Sequence, residues 1–149
     1  GENDPRQAKV ASYSTINMCM LTAVLSSIVI LIFREFIVSF YTVDPLVFDL
    51  AVSLLIFAAV FQLPDGIQMG ALGSLRGYKD TFIPMVLLFI SYWVFAMPMG
   101  YYLTKVGINQ PMGAAGMWYG MIIGLTIFSF LSLIRLKLII KQFLRIEII

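Results

Sequence analysis

Four long apolar segments, separated by short polar breaks, restrict this chain to very few folds. They cover residues 14–41, 46–75, 81–103 and 113–134. A helix needs about 20 consecutive apolar residues to cross the hydrocarbon core of a bilayer, and each segment is at least that long. Lipid offers backbone amides no hydrogen bonds, so spanning segments form helices or closed barrels. The sequence therefore predicts an all-α membrane protein with four transmembrane helices.

The overall composition supports a lipid bilayer as the surroundings of this chain. Hydrophobic residues make up 60% of it and charged residues 12%, whereas soluble domains average about 45–50% and about 25%. The net charge is only +2 and the basic residues are dispersed along the chain, which argues against nucleic acid as a partner.

Several kinds of chemistry are excluded by the residues that the sequence lacks. There is a single cysteine, Cys19, and no histidine, so neither an internal disulfide nor a thiolate or imidazole metal cluster can form. No glycine-rich loop ends in Lys-Ser or Lys-Thr, as nucleotide-binding loops do. We therefore expect no enzyme activity and no cofactor. Any work must draw on an ion gradient or on another part of the protein.

The lysines and arginines predict the orientation in the membrane, because they favour the cytoplasmic side. Four spans place the start of the chain, the turn near Arg76 and the basic tail at 135–149 on one face. Eight of the ten basic residues lie there, so both ends of this chain are predicted to be cytoplasmic. The tail is predicted to continue as a helix along the membrane surface. The polar start at 1–9 lacks an initiating methionine and predicts a loop from within a longer protein.

Asp65 is the most unusual residue of the sequence, because it lies inside the second apolar segment. It is roughly 16 Å of helix away from Arg76, the next charge, which places it near the middle of a bilayer. A charge at that depth costs at least about 2.5 kcal/mol on insertion scales and generally marks a functional site.

The neighbours of Asp65 suggest a binding site. On a helix, Gln62 and Gln68 share its face, and Pro64 is predicted to bend the helix and free backbone oxygens. Such a group of oxygens fits a hard cation and equally a proton site. The alternative is a protonated aspartic acid that hydrogen-bonds a neighbouring helix and serves only in packing.

Two further features have alternative interpretations. Tyr92 and Trp93 lie too deep for an interfacial aromatic belt, so they either line a cavity for flat organic cations or face lipid or the core. The row Gly116, Gly120 and Gly124 predicts close packing between helices rather than a substrate site.

The run Phe57 to Gln62, continuing through Asp65 to Gly73-Ser74-Leu75-Arg76-Gly77-Tyr78-Lys79-Asp80, resembles the multidrug and toxic compound extrusion (MATE) family in its NorM-like branch. Residues 91–101 and 113–125 fit as well. The resemblance covers nearly the whole chain, and the turn from Leu75 to Asp80 is its most specific part.

The resemblance implies a twelve-helix transporter of two six-helix lobes that exports organic cations and drugs across the bacterial inner membrane in exchange for Na⁺ or H⁺. This chain would be the ninth to twelfth helices, in the C-terminal lobe. Its partners would be the N-terminal lobe and the seventh and eighth helices. The family's cation-coupling carboxylate falls on Asp65, as a tentative Na⁺ ligand. Phe61 stands where relatives often carry a tyrosine, and the partner glutamate of the seventh helix lies outside this chain.

Two other functions fit parts of the same sequence. One is a lipid-linked precursor flippase of the same superfamily, although the spans lack the internal lysines and arginines expected of it. The other is a structural membrane subunit in which Asp65 is a packing residue.

Overall fold

The computed structural model describes residues 4–108 and 110–146, and within them it is built from four long helices. These are α1 (Pro5–Ser39), α2 (Pro45–Gly77), α3 (Phe82–Lys105) and α4 (Ala114–Ile146). All four are long and apolar enough to cross a membrane, which confirms the predicted fold class. The last three residues of the predicted tail, 147–149, lie outside the described residues.

Helices α1 and α2 begin with the same local structure. The Asp4 carboxylate accepts a hydrogen bond from the Arg6 N–H at 2.8 Å, and Asp44 accepts one from Leu46 at 2.9 Å. Each aspartate is followed by a proline at the first helical position, where the missing N–H costs nothing. The prediction of a loop over the polar start was therefore wrong from Pro5 onward, and α1 begins well before the predicted span.

Helix α3 changes its winding in the middle. An α-helix over Phe82–Ile90 leads into a π-helical segment, Ser91–Ala96, and a second α-helix covers Met97–Lys105. At the junction the Met97 N–H bonds to the Tyr92 carbonyl, five residues back. Pro98 explains the wider turn, because its ring crowds the carbonyl four residues earlier and it has no N–H to offer.

Helix α4 lies at the centre of the arrangement. It packs against α2 on one side and against α3 on the other, while α1 packs mainly on α2. The helix runs without a break to Ile146. Residues 135–146 of the predicted tail are thus helical, but they extend the fourth span instead of forming a separate surface helix.

Glycines allow close approach within two helix pairs, α1–α2 and α3–α4. Between α1 and α2, a Cβ placed on Gly66 would lie 2.6 Å from the Ala23 Cβ, and one on Gly70 would lie 2.7 Å from the Ile16 Cα. Between α3 and α4, a Cβ on Gly116 would lie 2.5 Å from the Thr104 nitrogen. The predicted close packing at Gly116, Gly120 and Gly124 is confirmed.

One end of the bundle is closed by an apolar cluster and an ion pair. The cluster is formed by Ile16, Leu75, Leu136, Ile139 and Ile140. Beside it, the Arg135 Nε donates to the Asp80 Oδ2 at 2.6 Å, and both side chains are largely buried. The start of α1, the α2–α3 turn and the last turns of α4 therefore lie together at one end, as the predicted topology requires.

Candidate functional site: a polar cavity between α1 and α2

A cavity of about 260 Å³ opens between α1 and α2. Both helices contribute residues to its lining. Helix α1 contributes Cys19, Thr22, Ala23 and Ser26, and helix α2 contributes Gln62, Asp65, Gly66 and Met69. The cavity thus combines a carboxylate, an amide, two hydroxyls and a thiol within spans that are otherwise apolar.

Asp65 is partly buried and belongs to this cavity. The one ion pair formed within residues 4–108 and 110–146 joins Arg135 to Asp80, so no described lysine or arginine neutralises Asp65. The described residues therefore supply no basic partner for an ionised Asp65 carboxylate.

The Gln62 side chain is held by a hydrogen bond to α1. Its Nε2 donates to the Ser26 Oγ at 2.8 Å. An amide has one donor end and one acceptor end, so this bond leaves the Gln62 Oε1 as an acceptor. Gln62 and Asp65, both predicted site residues, are brought to the same cavity.

Phe61 and Pro64 face a different neighbour, helix α4. The Phe61 ring meets Trp118 edge to face, with 6.2 Å between the ring centroids. The Pro64 carbonyl accepts a hydrogen bond from the Ser129 Oγ at 2.7 Å. Helix α2 is continuous through Pro64, and the bend at this residue stays a prediction. The two residues connect the stretch around Asp65 to the central helix.

Gln68 lies outside the cavity lining. Its Oε1 is buried and has no hydrogen-bond partner within the described part of the chain. Gln68 misses the cavity because of helix geometry: the residues three before and three after Asp65 lie about 60° to either side of it, on opposite sides. The cavity occupies the Gln62 side. The supporting role of Gln68 stays a prediction.

Tyr92 and Trp93 line neither this cavity nor a second, apolar one near Met97 and Met117. Trp93 is 61% exposed on the outside of α3 and stacks on Phe89, with 5.9 Å between ring centroids. Tyr92 is half-buried. Their role in lining a drug cavity stays a prediction.

The α1 side of the cavity was not foreseen from the sequence. Cys19, Thr22 and Ser26 are spaced three and four residues apart, which places them on one face of α1. Their shared face within the predicted span 14–41 is the signal that could have identified this side of the cavity.

The cavity has the donors for a small hard cation but not for a transition-metal cluster. Among the residues that the structure describes, no group of three or more His, Cys, Asp or Glu side chains comes together. Asp65 is the single carboxylate of the lining, and the other oxygens are neutral. Carboxylate, carbonyl and hydroxyl oxygens are ligands of hard cations.

Four helices long and apolar enough to span a membrane, with a carboxylate in a polar cavity between two of them, define a multi-pass membrane protein. A family model, MatE, matches residues 1–102. The chain belongs to the MatE family, as the resemblance of its α2–α3 turn indicated.

Similar proteins bear multidrug resistance names. The chain is 42% identical over 148 residues to "Multidrug resistance protein NorM" of Aliivibrio fischeri, covering 99% of this chain and 32% of that protein. It is 38% identical to MdtK of Yersinia pseudotuberculosis, covering 95% and 31%, and 36% identical to PmpM of Pseudomonas aeruginosa, covering 97% and 31%. The chain spans about a third of the length of these curated relatives.

Proposed function

We propose that this chain forms the ninth to twelfth membrane helices of a multidrug efflux antiporter, and that Asp65 binds the Na⁺ or H⁺ that drives export. The observation that carries the proposal is the position of Asp65 in a polar cavity without a described basic partner. The multidrug resistance names of relatives at 36–42% identity support the export function.

Binding of a cation at Asp65 can change the helix arrangement only if two states of the protein differ in cation affinity. The contacts of Phe61 with Trp118 and of Pro64 with Ser129 connect the part of α2 around Asp65 to α4, so the two states can differ in these contacts. Loss or gain of a charge at Asp65 would shift α2 relative to α4. Helix α4 in turn packs on α3, so a shift in α2 would reach three helices.

The proposed substrates are organic cations, the proposed location is the bacterial inner membrane, and both ends of the chain are assigned to the cytoplasm. The end of the bundle that holds the Arg135–Asp80 ion pair also holds Arg76 and the basic turns of α4. Basic residues clustered at one end favour the cytoplasmic side for that end.

The test is drug efflux by the full-length transporter that carries Asp65→Asn. The substitution preserves the size of the side chain but removes the charge and replaces one acceptor oxygen by an NH₂ donor. We expect efflux driven by an imposed Na⁺ or H⁺ gradient to fall to background. Asp49→Asn is the matched control, since Asp49 lies on the same helix, is exposed, and is outside the cavity; it should export normally.

Efflux at the unmodified rate by Asp65→Asn would refute the coupling role. If Asp65→Asn exported normally while Asp65→Leu lowered the thermal unfolding temperature in detergent, Asp65 would be a packing residue instead. Running the assay with Na⁺ and H⁺ gradients separately identifies the coupling ion.

A further inference from the structure

The last turns of α4 carry exposed basic and apolar residues along one side. Lys137, Lys141 and Arg145 are exposed and follow one another at intervals of four residues, so they form a row along the helix. Ile134 and Leu138, 41% and 55% exposed, lie beside them. At about 100° per residue, all five side chains fall within one arc of about 100°. We call these five residues the basic stripe of α4.

The opposite side of the same turns holds α4 to the rest of the bundle. Leu136, Ile139 and Ile140 are buried there, in the cluster that also contains Ile16 and Leu75. Their mean direction around the helix axis lies roughly 160° from that of the basic stripe. The stripe therefore faces away from α1 and α2, toward the surroundings of the bundle.

The depth of the basic stripe in a bilayer follows from a contact between α4 and α2. The Ser129 Oγ donates to the Pro64 carbonyl at 2.7 Å, so Ser129 lies at about the depth of Asp65, which the sequence places near the bilayer centre. Lys141 comes twelve residues after Ser129, or about 18 Å along the helix. Half of a hydrocarbon core is about 15 Å thick. The stripe therefore crosses the level at which acyl chains give way to headgroups.

The order of residues along the stripe matches the order of groups in a phospholipid. Ile134 and Leu138 lie at the depth of the acyl chains, and Lys141 and Arg145 lie at the depth of the headgroups. Lys137 lies between them, and its long side chain can extend its ammonium group outward to the headgroups.

The positive charges of the stripe pair with no acidic residue that the structure describes. At this end of the bundle the described acids are Asp4, whose carboxylate caps α1, and Asp80, which pairs with Arg135. A protein segment laid over the stripe would bury three cations, which is costly unless each gains a partner. An anionic headgroup can balance these charges at the membrane surface, where water remains in reach.

We propose that the basic stripe is a binding site for an anionic phospholipid of the leaflet that borders this end of the bundle. The lipid phosphate binds Lys141 and Arg145, with Lys137 beside it, and an acyl chain lies along Ile134 and Leu138. Each lysine or arginine near an anionic membrane surface strengthens binding about fivefold. The site does not involve Asp65 or the exported molecule, so it goes beyond the proposed function.

The test is native mass spectrometry of the purified full-length transporter in detergent, titrated with phosphatidylglycerol or with phosphatidylcholine of the same acyl chains. The unmodified protein should bind phosphatidylglycerol more tightly. The triple variant Lys137→Gln, Lys141→Gln and Arg145→Gln should bind phosphatidylglycerol about a hundredfold more weakly, because three fivefold effects multiply. Its binding of phosphatidylcholine should be unchanged. Inorganic phosphate should not compete, because it has no acyl chain.

The matched control is the triple variant Lys9→Gln, Arg76→Gln and Lys79→Gln. It removes the same charge from exposed residues at the same end of the bundle, but outside the stripe, and it should keep the preference for phosphatidylglycerol. The double variant Lys137→Arg and Lys141→Arg preserves the charge of the stripe and should bind like the unmodified protein.

Equal losses in the two triple variants would overturn the stripe as a site, because they would reflect only the total charge of this end. Equal binding of both lipids by the unmodified protein would also overturn it, and so would competition by inorganic phosphate.

Acetylation of Lys137 and Lys141 by an amine reagent in lipid nanodiscs distinguishes a lipid from a protein segment over the stripe. Protection in phosphatidylglycerol but not in phosphatidylcholine would support the lipid site. Protection in both would show that another segment of the transporter covers the stripe, and equal reactivity in both would contradict the site.

Discussion

Both helix pairs approach closely at glycines, but between α1 and α2 side chains also hydrogen-bond across the interface, whereas the α3–α4 contact follows a longer row of glycines. The first pair contains the bonds from Gln62 to Ser26 and from Ser27 to Ala59. The second pair has Gly116, Gly120 and Gly124 pressed against α3. The Gln62–Ser26 bond borders a polar cavity, so water that enters the cavity can replace it when the helices separate, but contacts between close-packed backbones are simply lost.

The cavities of the two helix pairs also differ in polarity. The α1–α2 cavity has a carboxylate and neutral oxygens in its lining, while the cavity between α3 and α4 is lined by Met97, Tyr101, Thr104, Gly113, Ala114 and Met117. These differences predict that α3 and α4 are held together more rigidly than α1 and α2.

The largest effect is expected from Gly120→Ala. The added Cβ would lie 2.5 Å from the Gly100 nitrogen and 2.7 Å from the Ala96 carbonyl oxygen, and backbone atoms cannot yield without separating the helices. We expect a loss of about 3 kcal/mol or more of stability, or no folded protein, measured by thermal unfolding and size-exclusion chromatography. Gly73→Ala is the control, since a Cβ there meets nothing within 4 Å. Normal folding of Gly120→Ala would show that α3 and α4 are not held rigidly together.

A smaller effect is expected from Arg135→Ala, at the end where the two helix pairs join. It removes the 2.6 Å bond to Asp80 and leaves that carboxylate, 12% exposed, without its partner. We expect the free energy of unfolding to fall by about 1–3 kcal/mol and hydrogen exchange to increase in the α2–α3 turn. Arg76→Ala, at an exposed site, should change little. Partial recovery in the double reversal Arg135→Asp with Asp80→Arg would confirm the pair, and identical stabilities of Arg135→Ala and Arg76→Ala would contradict it.

The smallest effect is expected from Ser27→Ala in the α1–α2 pair. It removes one buried hydrogen bond between helices, which is worth about 0.6 kcal/mol on average in membrane proteins. Thermal unfolding should shift by a degree or two while drug efflux is retained. A loss as large as that from Gly120→Ala would mean that the two interfaces do not differ in the way described.

The apolar runs predicted much of this fold. Backbone N–H and C=O groups in lipid must hydrogen-bond to one another, and apolar spans of this length do so by forming helices. The start of α1 at Asp4-Pro5 was missed, because the mostly polar residues 1–9 obscured the capping signal. The π-helical segment was not predicted either. It depends on Pro98 together with the packing of Ser91 and Ala96 against Gly124 of α4, and that packing is not visible in the sequence.

Asp65 was identifiable from the sequence because a single charge in an apolar run is conspicuous without any tertiary information. Its surroundings were not. Gln62 and Gln68 are equivalent by spacing, and only the position of α1 decides that Gln62 lines the cavity. Thr22 and Ser26 lie about forty residues away along the chain, so local spacing on α2 could not associate them with Asp65.

The π-helical segment determines how the two α-helical halves of α3 are rotated relative to each other. These two halves are offset by one residue, and each half is turned correctly toward α4 only because of that offset. The wide turn absorbs one extra residue, so Gly100 beyond it still lies against Gly120. The segment is therefore a spacer that aligns the two halves of the helix, and its buried ends, Ser91 and Ala96, pack against α4 at Gly124.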